Sequence, residues 1–291
     1  MQTFRVIAYN AHLLPSLALP FAGERSDAGY RSGKIGENLA SFDLIGLSEV
    51  FHKNSRNKLV NALQTTGEQT FHIVQGPARS GRHLTNSGLL LCSKFPIVAT
   101  HTTTFKNASR LATHGMKSDG FAAKGALHAR LLLNERSQTT LDCFLTHLES
   151  QSVEARTRQV AEFCAFVKEH QDPDTPAIVL GDFNISYQPS AGTDDSGYPE
   201  LLGRLTELRN ATVSDTGLHL TEGPPGSSDA MSEDGGSRID YVFALNPESE
   251  DKASLKLSGA AHLAFQDERV PEGSLSDHLA VACEFSIRTG P

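Results

Sequence analysis

The segment AIVLGDFNIS, residues 177–186, ends an apolar run by setting Asp182 and Asn184 two positions apart. In an extended chain the side chains at i and i+2 leave the same face, so this carboxylate and carboxamide can meet one ligand. Alone, the Gly, Asp and Asn of the segment would read as a turn. The pattern recurs, however. Asn10 closes TFRVIAYN, Glu49 stands near the end of DLIGLSEV, and His147 closes TLDCFLTH. Asp240 interrupts the apolar RIDYVFAL, and Asp277 and His278 open HLAVACEFSI. Each residue has a bland explanation as a cap, a turn former or a satisfied core group. Their recurrence at strand termini points to a site assembled along the edge of a sheet.

Glu49, Asp182, Asp277 and the amide of Asn10 make a hard oxygen set, suited to Mg2+ or Mn2+. Carboxylates with two histidines would also describe a zinc or iron site, but neither histidine has a second one at helical ligand spacing. A divalent cation can polarise a phosphoryl oxygen while a histidine–carboxylate pair activates water. Asp240 suits His278 as that partner: a carboxylate on one ring nitrogen fixes the tautomer and leaves the other free to take a proton.

The elements that would carry these residues are mostly strands. Besides those quoted, FHIVQ, SGLLLCS, IVATHTTTF and ALHARLLL read as strands, and several are continuously apolar, as strands covered on both faces should be. NSRNKLVNALQ and SVEARTRQVAEFCAFVKEHQ read as helices, the second with Val160, Phe163, Cys164 and Val167 at helical spacing. Residues 186–199 and 214–237 are rich in Gly, Pro, Ser and Asp and read as loops. Many strands with few helices predict a layered α/β or α+β fold. Without repeats, linkers or a shift in composition, residues 1–291 read as one domain.

Apolar residues make up 38% of the chain and charged ones 21%, enough to build a sizeable core. No window approaches the roughly eighteen apolar residues of a membrane span. MQTFRVIAYN enters a strand directly, without the pattern of a signal peptide, as a mature form would too. Cys92, Cys143, Cys164 and Cys283 are scattered through mostly apolar segments and read as buried thiols, with a Cys143–Cys164 bridge as the alternative. The net charge of −8 and the lack of a basic stripe make nucleic acid an unfavoured partner.

YN at 9–10, SEVF at 48–51, THLES at 146–150, GDFN at 181–184, RIDYVF at 238–243 and SDH at 276–278 follow the order of the endonuclease/exonuclease/phosphatase superfamily, which the whole chain resembles. The resemblance implies a deoxyribonuclease-like four-layer sandwich: two packed mixed β-sheets flanked by helices. It also implies metal-dependent hydrolysis of phosphoesters. SEVFHKNSRNKLVNAL, NSGLLLCSKFPIV, SDGFAAKGALHARL and the helix after THLES resemble the neutral and bacterial sphingomyelinase branch. On that resemblance the reaction is of phospholipase C type, sphingomyelin to ceramide and phosphocholine.

The same resemblance implies the roles. Glu49 and Asn10 would hold Mg2+, with Mn2+ or Co2+ able to substitute, and Asp277 would complete the shell. His278, oriented by Asp240, would be the general base, and Asp182 would position the water. Asn184 and His147 would stabilise the transition state. Asp119 and Lys124 match positions of the branch and stand as substrate contacts, against a solvated ion pair as the plain reading. The implied partner is a phospholipid met peripherally at a membrane surface, with no protein partner. The resemblance favours secretion, whereas the missing signal pattern would suit the cytoplasm. A nuclease, a phosphoinositide or small-ester phosphatase, and an inactive binding module are the alternatives.

One departure concerns the membrane. The stretch before the final SDH, EDKASLKLSGAAHLAFQDERVPEGSLSDH, carries Phe265 but no Trp or Tyr, unlike the aromatic-tipped hairpin of bacterial sphingomyelinases. The nearest apolar substitute is LLPSLALPFAGE, residues 13–24, whose Leu14, Leu17, Leu19 and Phe21 show no strand or helix period. They either fold onto the body or form an apolar lip for lipid. Lys94 reads as a strand-end residue, and His12 and His52 as ordinary structural or exposed histidines.

Overall fold

The computed structural model describes residues 2–14, 27–79, 81, 83–109, 121–186, 197–208, 213–215 and 238–288. Twelve strands form two mixed sheets among these residues. The first sheet has the order β11-β12-β1-β2-β4-β3, from β1 (Gln2–Leu13), β2 (Leu44–Val50), β3 (His72–Gln75), β4 (Leu90–Ser93), β11 (Ser254–Leu263) and β12 (Ala280–Arg288). The second runs β5-β6-β7-β8-β10-β9, from β5 (Ile97–Thr104), β6 (Gly125–Asn134), β7 (Thr139–His147), β8 (Ala177–Asp182), β9 (Val213–Asp215) and β10 (Asp240–Leu245). The helices are α1 (Ala28–Leu39), α2 (Lys53–Thr66), α3 (Val153–His170) and α4 (Gly197–Glu207).

Side-chain alternation explains the layers. β1 sends Phe4, Val6 and Ala8 into the seam between the sheets, where they meet Leu127, Leu145 and Leu180. Its other face sends Ile7 and Tyr9 toward Ile35 and Leu39 of α1 and Leu59 and Leu63 of α2. β8 divides likewise, Ile178 and Leu180 into the seam and Val179 onto Phe163 and Val167 of α3. Both faces are covered, so these strands are apolar at successive positions. Each fully buried Leu or Phe contributes roughly 1.5–3 kcal/mol, and the order helices–sheet–sheet–helices follows from burying every apolar face.

The strands expected from the sequence are present, as are α2 and α3. Ser152 caps α3 by accepting a hydrogen bond from Ala155 N at 3.2 Å, and Val160, Phe163, Cys164 and Val167 are buried. Four elements were not foreseen: α1, α4, β9 and β11. α1 reads AGYRSGKIGENL, with glycines that lower helix propensity. One of them is needed for packing, since a Cβ on Gly36 would lie 2.3 Å from Leu59 O of α2. α4 starts at Gly197, within a stretch whose composition reads as loop. β11 is an edge strand with little burial, and so shows no apolar alternation.

All four cysteines are buried and free. Burial pushes the thiols of Cys92 and Cys143 up and that of Cys164 to about 12, which keeps them from acting as thiolates. Lys94 sits at a strand end with its ammonium 3.1 Å from Asp43. Phe265 packs edge-on against Tyr9 with centroids 5.2 Å apart. No helix among the described residues is long and apolar enough to cross a membrane.

At the outer end of α3 the His170 ring stacks on His101 at 4.1 Å, and His101 stacks on buried His128 at 5.6 Å. Partial burial, then the neighbouring imidazoles, hold His170 below its ordinary value of 6.5. A histidine depressed in the folded state contributes stability that is complete above the unfolded value and is lost as pH falls below it. The melting temperature of His170→Asn should therefore fall less steeply than that of the native chain as pH drops below 6.5. Identical slopes for the two proteins would contradict the stacking account.

Candidate active site

Strand direction brings the polar termini together. β1 runs parallel to β2 and β7 parallel to β8, with Asn10 opposite Ser48 and His147 opposite Asp182. β10 and β12 run antiparallel to their neighbours, with Asp240 opposite Asp182 and Val281 opposite Ala8. The ends of β1, β2, β7 and β8 and the starts of β10 and β12 therefore share one rim.

Hydrogen bonds cross the seam there. Asn10 Nδ2 of the first sheet donates to Asp182 Oδ2 of the second at 3.0 Å. His278 Nδ1, just before β12, lies 2.7 Å from Asp240 Oδ2 at the start of β10. His147 Nε2 lies 3.4 Å from Asp182 Oδ2 and 3.9 Å from Glu49 Oε1. Lys124 is buried and donates to His147 Nε2 at 2.7 Å and to Leu148 O at 2.9 Å. An ammonium has no acceptor, so at this contact Nε2 accepts and the imidazole proton sits on Nδ1. Asn184 Nδ2 also donates to Leu148 O, and Asn184 N to Asp182 Oδ1, each at 3.0 Å.

Asn10, Glu49, Lys124, His147, Asp182, Asn184, Asp240, Asp277 and His278 thus gather at one place. Lys124, for which a solvated ion pair was the plain expectation, is 3% exposed and part of the group. Leu14 is half-buried just beyond β1. Asp119, Leu17, Leu19 and Phe21 lie outside the described residues.

Sequence reasoning missed two residues. His12, taken for an ordinary histidine, places Nδ1 2.8 Å from Asp277 Oδ2 and 3.7 Å from Glu49 Oε2. Its position two residues after Asn10, on the same face of an extended strand, was the available signal. The other is Arg31 of α1, 2% exposed. Its guanidinium donates to Leu275 O at 2.8 Å, His12 O at 2.9 Å and Ala11 O at 3.3 Å, tying the end of β1 to the segment carrying Asp277. Nothing in its sequence neighbourhood marks it, because α1 itself carries no clear signal.

The backbone is strained at the same rim. Of the five non-glycine residues with positive φ among those described, three are here: His12 at 47°, Glu49 at 59° and Asn184 at 52°. Such conformations persist where the surroundings over-determine them, and they cluster at functional sites. Gly88, at φ 71°, packs against this rim: a Cβ on it would lie 2.8 Å from the Phe51 ring and 3.1 Å from Glu49 Cα.

Charge is unevenly compensated. Burial raises Glu49 above the ordinary carboxylate value; His12 opposes this, while Asp277 reinforces it. Burial alone would lower His12, but the hydrogen bond and charge of Asp277 and the charge of Glu49 leave it raised. Burial raises Asp240 to about 7, against the pull of His278. His278 would also be lowered by burial, yet the charge and hydrogen bond of Asp240 raise it well above 6.5. The two directions compete for one proton, and the 2.7 Å contact argues that the pair shares it, with the imidazole holding it.

A metal ion fits this donor set. Glu49 Oε2 is buried and accepts no hydrogen bond among the described residues, so a carboxylate oxygen faces inward with only the charge of the His12 ring, 3.7 Å away, beside it. Asn10 Oδ1 accepts from His12 N at 3.0 Å and keeps a second lone pair. Asp277, expected to complete the metal shell, instead directs Oδ2 at His12 and accepts from Ser276 Oγ at 3.1 Å through Oδ1. Asp182, Asp240 and His278 form a second compact group, with ligand atoms within 4.8 Å of one another. His278 Nδ1 is already engaged by Asp240 in that group, which favours its use as a proton relay.

The model of the Endonuclease/Exonuclease/phosphatase family matches residues 9–278. No curated protein sequence matches the chain. Among solved structures, beta toxin from Staphylococcus aureus superposes with a TM-score of 0.70 at 18% identity, covering 96% of this chain and 99% of the other. A mutant of that toxin with bound magnesium ions gives a TM-score of 0.69 at 18% identity, covering 97% and 99%. Sphingomyelinase C from Streptomyces griseocarneus gives 0.66 at 17% identity, covering 98% and 99%. These likenesses establish a shared fold.

Arg31 offers a direct check on the rim. Arg31→Met would strip donors from three carbonyls, at about 1–3 kcal/mol for each left unsatisfied. Denaturant melts should show destabilisation of a few kcal/mol, whereas a change within about 0.5 kcal/mol, typical of plain surface sites, would contradict the clamp.

Proposed function

The chain belongs to the endonuclease/exonuclease/phosphatase family, and on that premise we propose that it is a metal-dependent phosphodiesterase of phospholipase C type acting on sphingomyelin. The observation that carries the chemistry is the His278–Asp240 pair spanning the two sheets, grouped with Asp182 and close enough for the His278 charge to act on Glu49. The sphingomyelin assignment rests on the sphingomyelinase-like segments around Glu49, Lys94 and Lys124 and on the fold shared with a protein named sphingomyelinase C.

In this reading Glu49 and Asn10 hold Mg2+. The cation, when bound, polarises the phosphoryl oxygen and offsets the charge that develops on it. The remaining work falls to the chain itself. Asp240 keeps His278 in the tautomer whose Nε2 faces outward, where it takes the proton of the attacking water. Asp182, steadied by the Asn10 amide and the Asn184 N–H, accepts a hydrogen bond from that water and aims it at phosphorus. Lys124, held by the His147 ring, and the second amide proton of Asn184 stabilise the phosphorane-like charge, with Leu148 O fixing Lys124 and Asn184 relative to each other. Asp277 acts through His12, holding it beside Glu49. The product pair would be ceramide and phosphocholine, formed where the protein meets a membrane surface peripherally. Mn2+ and Co2+ offer similar octahedral oxygen coordination.

A general base works only when deprotonated. Because His278 is raised, the rate should climb with pH above 6.5. Removing the carboxylate charge in Asp240→Asn should move that limb to lower pH as well as slow turnover. His278→Ala should lower kcat at least ~10²-fold, the lower range for general-base catalysis. Rates on sphingomyelin and on bis(4-nitrophenyl) phosphate, measured with Mg2+, test both statements. Near-normal turnover by His278→Ala would remove the base assignment, and turnover of the soluble diester without release of phosphocholine would remove the sphingomyelin assignment.

A further inference from the structure

Beside Glu49 lies a cleft of about 420 Å³ that the proposed chemistry does not use. Val50 and Phe51, which follow Glu49 in the chain, form one wall. Ser87 and Leu89 also line it, and Gly88 between them accepts from Val50 N at 2.9 Å, which ties that segment to the residue after Glu49. Its volume falls within the usual range for small-ligand sites, about 300–1,000 Å³.

The charge of the cleft opposes that of the chain. Arg56 of α2 and Arg79 line it, and among the described residues no Asp or Glu does. Neither guanidinium forms an ion pair among the described residues; Arg79 Nε donates to His83 O at 3.1 Å. Two uncompensated guanidiniums in a chain of net charge −8 make a local reversal of the field, next to the reaction centre. A choline group would meet two like charges and a single aromatic ring, Phe51, in place of an aromatic cage. An anion suits the cleft better: guanidinium forks match phosphate oxygens in paired hydrogen bonds. At the mouth, Leu84 is 49% exposed, an apolar contact for an amphiphile. A polynucleotide would call for a basic stripe, which the chain does not have.

We propose that this cleft is a subsite for a second phosphoryl group, carried by an anionic phospholipid head group lying beside the phosphodiester at Glu49. The inference rests on the lipid reading of the active site and adds a recognition element to it. The phosphodiester undergoing hydrolysis and the recognised phosphoryl group would occupy adjoining positions, so the enzyme would favour membrane patches bearing a phosphomonoester lipid. With its overall negative charge, the protein should otherwise be repelled by such membranes.

Vesicle co-flotation of the full chain tests this, using phosphatidylcholine vesicles with and without phosphatidic acid. Phosphatidic acid should tighten binding by about tenfold or more, the scale of one charge-assisted hydrogen bond. Arg56→Gln/Arg79→Gln should lose that gain while keeping the native rate on bis(4-nitrophenyl) phosphate. Arg56→Lys/Arg79→Lys, which keeps charge but not the fork, should bind between the two. Equal binding by all three proteins would overturn the subsite. Binding of inorganic phosphate through these arginines without any vesicle preference would make the ligand free phosphate and overturn the lipid source. Binding of duplex DNA that is lost in the glutamine variant, in place of vesicle binding, would also overturn it. If the native chain fails to hydrolyse the soluble diester, the catalytic reading fails, but the vesicle comparison still decides the cleft.

Discussion

Four carboxylates converge where the rims of two sheets meet, Asp182, Asp240 and Asp277 buried and Glu49 half-buried, and the loss of solvent makes their charge costly. An uncompensated buried charge costs several kcal/mol, so each must be paired, hydrogen-bonded or neutralised. Asp182 takes the amide of Asn10 and the N–H of Asn184, Asp240 takes His278, and Asp277 takes His12. Glu49 and Asp240 each keep a buried oxygen that accepts no hydrogen bond among the described residues, and Glu49 Oε2 has only the more distant His12 ring, at 3.7 Å, beside it. The surrounding features follow from holding this arrangement. Cross-sheet hydrogen bonds fix the register of the two rims, Arg31 ties the end of β1 to the Asp277 segment, and positive φ angles at His12, Glu49 and Asn184 set side-chain directions.

Much of this was legible in the sequence because the site obeys strand logic. Asn10, Glu49, His147 and Asp182 stand at or near the ends of strands whose apolar runs are unmistakable, and a polar residue there is conspicuous. Asp240 and His278 begin strands that run the other way, which places them on the same rim. What escaped notice lacked such contrast. α1 holds three glycines in twelve residues and looks like a loop until packing against α2 is considered. β11 is an edge strand and needs no apolar alternation to pair with β12. His12 was marked only by its place two residues after Asn10, and Arg31 acts through backbone carbonyls that no motif records. Lys124 looks like a loop lysine in SDGFAAKG, yet lies buried against His147.

The chemistry and the choice of substrate draw on different parts of the molecule. On the proposed function, hydrolysis would depend on the paired groups at the seam, which any phosphodiester would meet in the same way. Selection depends on what surrounds them, and there the Arg56–Arg79 cleft gives the clearest chemical signature, since it lies beside Glu49 and is cationic in an acidic protein. Phe265 is not displayed as a membrane anchor but packs edge-on against Tyr9. If the proposed lipid reading holds, an enzyme without that aromatic tip would need another way to hold its substrate surface, and recognition of an anionic head group would supply one.

The central claim is that Glu49, whose buried Oε2 accepts no hydrogen bond among the described residues and has the His12 ring 3.7 Å away, would bind a divalent cation. Melting temperature measured across a Mg2+ titration, for the native chain and for Glu49→Gln, tests it without reference to activity. The native chain should gain stability with Mg2+, by about 2.7 kcal/mol at a hundredfold excess over Kd. Glu49→Gln, with the buried charge removed, should melt higher than the native chain in the absence of metal and gain little when Mg2+ is added. Equal Mg2+-dependent gains in the two proteins, or none in either, would contradict the account.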